Sequence, residues 1–269
     1  MVLNSQRTVY GVDLELARLA NKPYNIINNT SLNEKFNVLV EETVPANTYP
    51  TLKYFALGVG EVDIIKNNSG YSYSRHSPVD AALFHHIPFV IKPVNNDLSD
   101  TERARYRFRV VEVINGISYA CYYLKLIDTF ELKDTFYKVS TNQGLSTLSI
   151  FDTNIATLLN PVPRDRSKDV ISVTSAEYIL KLMKITFELT PNELTELDNV
   201  LTLKQLSSSN LTEIGLCTGI DKVVGNYSEA TCVQVSHHIG INVAPSVYLN
   251  TGNSFLRSIE LGGGEPMVL

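Results

Sequence analysis

The 269-residue sequence predicts a mainly β fold, a β-sandwich or mixed β-sheet domain with a few short helices, the clearest at 191–204. Three observations carry this expectation. Residues 106–128 form two extended runs around Asn115-Gly116, a dipeptide that supplies both positive φ angles of a two-residue type I′ hairpin turn. Residues 177–189 alternate well enough for a long strand. The composition is rich in Asn, Ser and Thr, which favour turns and caps, and Thr also suits strands. An apolar fraction of 44% is ordinary for a globular chain and fills a core.

In chain order, residues 1–10 read as an extended arm. Residues 12–21 carry Val12, Leu16, Leu19 and Ala20 at helical spacing, and Pro23 ends the helix. Residues 36–40 predict a short strand, and Pro45 and Pro50 bracket a loop. Residues 51–65 predict a strand with a bulge or a close backbone approach at Gly58 and Gly60. The stretch 67–100, broken by Pro78, Pro88 and Pro93, is too long for an empty loop and reads as a surface excursion or contact element. The hairpin's return strand, 117–127, is nearly all apolar or aromatic, so both its faces are expected to be covered. Further strands are expected at 136–139 and 145–151. A single β-rich domain over 1–269 is expected, with any subdivision near the polar, Pro-broken 161–169.

The helix at 191–204 has the most complete signal. Thr190 is the N-cap, Pro191 sits at the first helical position and Glu193 completes a capping box. Leu189 and Leu194 are placed as a hydrophobic staple, Leu194, Leu197, Val200 and Leu201 form the buried stripe, and Lys204 falls in the last turn. Strands at 211–217 and 231–239 are joined across 219–225, and Gly262 to Gly264 give a flexible or extended tail.

Charge is low, at 19% of residues with a net of −5, which argues against nucleic acid as the main partner. The one basic run, Arg103, Arg105, Arg107 and Arg109, has a spacing of two. It would put all four on one strand face, read as a solvated face or subunit contact. Cys121, Cys217 and Cys232 match no zinc spacing and read as buried thiols. The sequence shows neither a signal-peptide pattern nor a run near the ~20 apolar residues of a membrane span, so synthesis in a cytoplasm and no membrane partner are expected.

The chemistry-bearing residues fail their geometric requirements one by one. The histidines cluster as His76, His85, His86, His237 and His238, but adjacent strand residues point to opposite faces and no carboxylate or Cys stands at ligand spacing. Cys232 with His237 lies in an apolar strand rather than on a nucleophile turn. Gly58-Val59-Gly60 precedes Glu61 and no helix, so it is no phosphate loop. Glu61 and Asp63 share a face as glycosidase pairs do, without the Trp platform that sugar sites favour. No catalytic, cofactor-binding or metal-ligating residue is assigned, no cofactor is expected, and the chain is not expected to be an enzyme.

Two stretches carry a resemblance. Glu177-Tyr-Ile-Leu-Lys-Leu182 with Leu189-Thr-Pro-Asn-Glu-Leu-Thr-Glu-Leu-Asp-Asn199, followed by Leu211-Thr-Glu-Ile-Gly-Leu-Cys-Thr-Gly219, resembles structural proteins of tailed bacteriophages. The Thr-Glu-Ile-Gly-Leu strand is similar to one in tail-associated and fibre-attachment proteins. The resemblance implies a virion component of tail, baseplate or neck, made in the host cytoplasm and assembling with copies of itself and other virion proteins. The competing expectation is a carbohydrate- or receptor-binding β module, with Tyr71, Tyr73, Tyr122 and Tyr123 around a groove; a hydrolase is the least favoured.

Overall fold

A computed structural model describes residues 5–25, 32–38, 43–44, 46–60, 65–67, 70–72, 76–77, 79–142, 145–151, 175–206 and 210–267. In chain order the first eight strands are β1 (Ser5–Arg7), β2 (Tyr24–Asn25), β3 (Thr43–Val44), β4 (Thr51–Gly58), β5 (Ile65–Asn67), β6 (Gly70–Ser72), β7 (His86–Ile87) and β8 (Val90–Pro93). The others are β9 (Tyr106–Ile114), β10 (Ile117–Leu126), β11 (Thr129–Asn142), β12 (Leu145–Phe151), β13 (Ser175–Leu189), β14 (Leu211–Val224), β15 (Tyr227–Val243) and β16 (Phe255–Met267). The described helices are α1 (Val9–Ala20), α2 (Leu32–Lys35), α3 (Asp100–Arg103), α4 (Pro191–Leu203) and α5 (Pro245–Thr251), with a 3-10 turn at Val94–Asn96.

The protein is mostly β, as its sequence predicts, and its two main sheets are antiparallel. The chain divides into two compact units, one of residues 1–127 with 188–255 and one of 128–187 with 256–269. The 161–169 linker lies outside the described residues, as do Glu61, Asp63 and Tyr73.

The first unit is built on an eight-stranded sheet ordered β1-β15-β14-β4-β10-β8, with β7 beside β4 and β9 beside β10. Strand β10 takes partners along both edges, β9 on one and β8 with β4 on the other. Its Ala120 to Lys125 are all buried, as the apolar run predicts. The hairpin turn is also where the sequence puts it, with Asn115 at φ 51° and Gly116 at φ 80°. A Cβ at Gly116 would meet nothing within 4 Å, so only the backbone angle penalises a side chain there. Asn115→Ala with Gly116→Ala should therefore cost on the order of 1 kcal/mol per position. An unchanged melting temperature would contradict the turn.

Helix α4 forms as its capping box dictates. Thr190 accepts from the Glu193 amide while the Glu193 side chain accepts from the Thr190 amide. Leu189, Leu194, Leu197, Val200 and Leu201 are buried. Lys204 is the C-cap and lies just past the last turn; its Nζ donates to Glu112 Oε2 at 2.7 Å and Tyr123 Oη at 2.9 Å.

Other elements differ from expectation for identifiable reasons. Helix α1 begins at Val9, three residues before the apolar stripe suggests. Thr8 caps it through the Gly11 amide and is itself anchored to the Ser236 carbonyl of β15. The strand expected at 36–40 is absent from its described part: Leu32–Lys35 is helical and Asn37 is left-handed at φ 51°. The Phe36 ring instead packs on Tyr123 at 4.3 Å and edge-on to His86 at 5.3 Å. The strand expected over 51–65 stops at Gly58. Strand β14 runs on to Val224 through the connection expected at 219–225, and the chain turns at Gly225-Asn226 into β15, with Gly225 at φ 64°. Gly219 lies inside β14, where a Cβ would meet the Tyr54 ring at 2.8 Å, so the site has no room for a side chain.

The second unit is a four-stranded antiparallel sheet ordered β12-β11-β13-β16. Strand β11 pairs with β13 from Thr129↔Thr186 to Asn142↔Ser175, with a register shift between Leu132 and Phe136. Gly262 to Gly264, expected as a tail, belong to β16. A Cβ on Gly262 would collide with Leu180 Cδ1, so glycine lets the two strands approach.

Candidate functional site

The four arginines do not form one face. Phe108 sits at φ 55°, which breaks the pleat of β9 between Arg107 and Arg109, and its amide donates to Glu229 Oε1 at 2.7 Å. Each arginine finds its own carboxylate. Arg103 bonds Glu229 at 3.2 Å and lies over the Tyr227 ring; Arg105 is 4.0 Å from Glu193. Arg107, buried, bonds Asp221 at 2.9 Å, and Arg109 bonds Asp97 at 2.7 Å. Arg103, Arg107 and Arg109 are internal ties, while Arg105 stays exposed, so the four form no single solvated stripe. The suspected tyrosine groove also fails in its described part: Tyr122 and Tyr123 are buried and donate to Asp97 and Glu112.

A cleft of about 430 Å³ lies at the N-terminus of α4, lined among others by Lys92, Arg105, Tyr106, Asn192, Glu193 and Glu196. Beneath it is a buried ion pair absent from the sequence reading. Lys125, fully enclosed in β10, holds its ammonium 2.9 Å from Glu193 Oε1 and donates to the Glu188 carbonyl. Tyr106 Oη donates to the same carboxylate at 2.8 Å. Burial alone would raise the Glu193 carboxyl, but Lys125, the Thr190 amide and Tyr106 together hold it below its ordinary value. Lys92 is paired with Glu196 at 2.6 Å. The cleft's charges are thus largely spent on one another.

The histidines give the second constellation. One of them, His76, meets Glu213 of β14, the glutamate of the Thr-Glu-Ile-Gly-Leu strand, and His238 stacks on that His76. His76 Nε2 lies 2.9 Å from Glu213 Oε2, and its Nδ1 lies 3.4 Å from Asp80 Oδ2. The His76 ring is stacked between Phe84, at 4.6 Å, and His238, at 3.9 Å. Glu213 also accepts the amides of Phe84 at 3.0 Å and His85 at 3.3 Å. The close backbone approach expected at Gly58 and Gly60 is real, and its occupant is this carboxylate. A Cβ at Gly58 would lie 2.6 Å from Glu213 Oε1, and one at Gly60 2.9 Å from it.

His238 donates through Nε2 to the Asp80 carbonyl at 3.1 Å, and its Nδ1 is buried without a partner. Burial, with His76 alongside, pulls it down to about 4. His86 accepts the Leu83 amide on Nε2 at 3.1 Å, and burial puts it well below the usual histidine range. His237 points elsewhere on β15, beside Ser236, with its value also drawn down by burial to about 4; His85 is exposed. Adjacent histidines do diverge, as strand alternation requires.

His76 and Glu213 form an acid–base pair, but their side chains are only 5% and 4% exposed, so no substrate reaches them as they stand. Among the described residues, no group of three or more His, Cys, Asp or Glu could hold a metal ion. Cys121, Cys217 and Cys232 are buried and form no disulfide; Cys232 packs with Leu14, Tyr24 and Val44. No helix among the described residues is long and apolar enough to cross a membrane.

The described surface is apolar at one rim of the four-stranded sheet. Strand β12 pairs with β11, and its residues 147–150 are all exposed, Leu148 at 57% and Ile150 at 72%. Leu148 lies across from Val139, and Ile150 across from Tyr137, which in turn faces Leu180, so one apolar face runs over three strands. None of the seven residues Leu145–Phe151 is charged.

No curated protein and no solved structure matches the chain. One family does, over residues 2–269, and the chain belongs to it: the family of unknown function DUF7208.

Proposed function

We propose that the protein is a non-enzymatic assembly protein, a structural component of a tailed-phage virion that binds copies of itself and other tail, neck or baseplate proteins. The observation that carries assembly is the β12 rim. Proteins guard free sheet edges with charge, proline or a bulge, because an unguarded edge pairs with another strand. Leu145–Phe151 has no charge and no proline, and its exposed Leu148 and Ile150 share one face. The segment is also complementary to itself. In an antiparallel pair centred on Ser149, Leu148 of one copy faces Ile150 of the other. The placement in a virion is supported by the resemblance of 177–199 and 211–219 to tail-associated proteins. Its structural elements, β13, α4 and β14, serve as scaffold: their polar groups cap, pair and pack.

Ile150→Lys tests the reading. The charge should weaken self-association at least tenfold at unchanged melting temperature, read by sedimentation velocity over a dilution series. Equal association of variant and parent would remove β12 from the interface.

A further inference from the structure

We propose that the segment Asp80 to His86 is a pH-responsive latch, which acid releases from β14 and β15 while the sheet beneath stays folded. Four backbone groups of this short segment are held by titratable side chains. His238 holds the Asp80 carbonyl, His86 holds the Leu83 amide, and Glu213 holds the amides of Phe84 and His85. Regular pairing to the sheet begins only at its end, where His86 faces Gly58 and the Val59 amide donates to the His85 carbonyl. Phe84 is 56% exposed on the outer side, whereas Leu83 is buried over Gly215 of β14, so release withdraws one apolar side chain from the sheet surface.

The hydrogen bonds fix what a proton would do. His238 already donates from Nε2, so a second proton must go on Nδ1, which is buried, unpartnered and 3.9 Å ring-to-ring from His76. His86 accepts on Nε2, so a proton there abolishes the bond from Leu83. The groups facing these two rings are His76 and Asp80, Glu213 from β14, Lys35 from α2, His85 within the segment, and, for His86, His238 of β15. Asp80 and Glu213 favour the charged form of His238, but burial outweighs them.

The sign follows by linkage. Closed, both histidines sit below the ordinary value of about 6.5; released, they return towards it. The open form then binds more protons, and its population grows as pH falls from about 6.5 towards 4. Each histidine multiplies the opening constant roughly tenfold per pH unit across that window.

Amide hydrogen exchange from pH 7.5 to 5, corrected for intrinsic rates, tests this. Protection at Leu83, Phe84 and His85 should fall roughly ten- to hundredfold per pH unit below about 6.5, while amides of β14 and β15 keep theirs. The double variant His86→Gln/His238→Gln retains an acceptor and a donor without the titration, and should flatten the dependence. Constant protection down to pH 5, equal loss in segment and sheet, or an unchanged slope in the variant would each overturn the latch. Should the variant not fold, imidazole titration of the wild-type protein by NMR decides. Slow exchange with an open form at acid pH is expected, and simple titration of His86 and His238 near 6.5 overturns the proposal.

Discussion

Glu193→Ala is expected to destabilise the protein by about 3–5 kcal/mol, because it leaves the Lys125 ammonium buried without its counter-charge. Lys125 has no exposed surface, and of its two strong partners only the Glu188 carbonyl would remain. The same substitution removes the acceptor of Tyr106 Oη and the reciprocal bond to the Thr190 amide, so α4 also loses half its capping box. The double replacement Lys125→Met/Glu193→Leu takes out both charges and should recover much of that loss, since apolar groups of similar size substitute well for buried ion pairs. Urea denaturation of the two variants beside the parent separates the cases. A loss below about 1 kcal/mol in Glu193→Ala would mean that water reaches Lys125 and the pair is not truly buried.

Gly58→Ala should cost on the order of 3 kcal/mol, from overpacking and from hydrogen bonds that Glu213 gives up as it yields. The added methyl would meet Glu213 Oε1 at 2.6 Å and the His85 carbonyl at 3.0 Å. The carboxylate cannot swing away freely, because it holds His76 and the amides of Phe84 and His85. The effect therefore differs in kind from that at Gly116, where space is open and only φ resists. A second change, Glu213→Ala, should make Gly58→Ala much less costly; the double-mutant cycle reads this coupling directly. Strict additivity would show that the glycine serves the strand and not the carboxylate.

These two sites show where the sequence was legible. The Thr190–Glu193 capping box and the Asn115-Gly116 turn are local, and local chemistry decides them within four residues. The approach at Gly58 and Gly60 was readable as a need for space, but not its occupant, because Glu213 arrives from a distant strand. Lys125 was hidden in an apolar run for the same reason. The short apolar run 36–40 was ambiguous by length, and the packing of Phe36 on Tyr123 and His86 went with a helix and left-handed turn instead. Gly219 looked like a loop residue, whereas it lies in β14 where the distant Tyr54 ring excludes a side chain. The arginine run kept its spacing but lost its face when Phe108 took a positive φ. The histidine doublets were visible; what they gather around was not.

Assembly is the central claim, and the mass of the intact wild-type protein tests it most directly. Sedimentation equilibrium at micromolar concentration should give a discrete multiple of the 30.0 kDa chain mass. A single 30.0 kDa species at every concentration would contradict it.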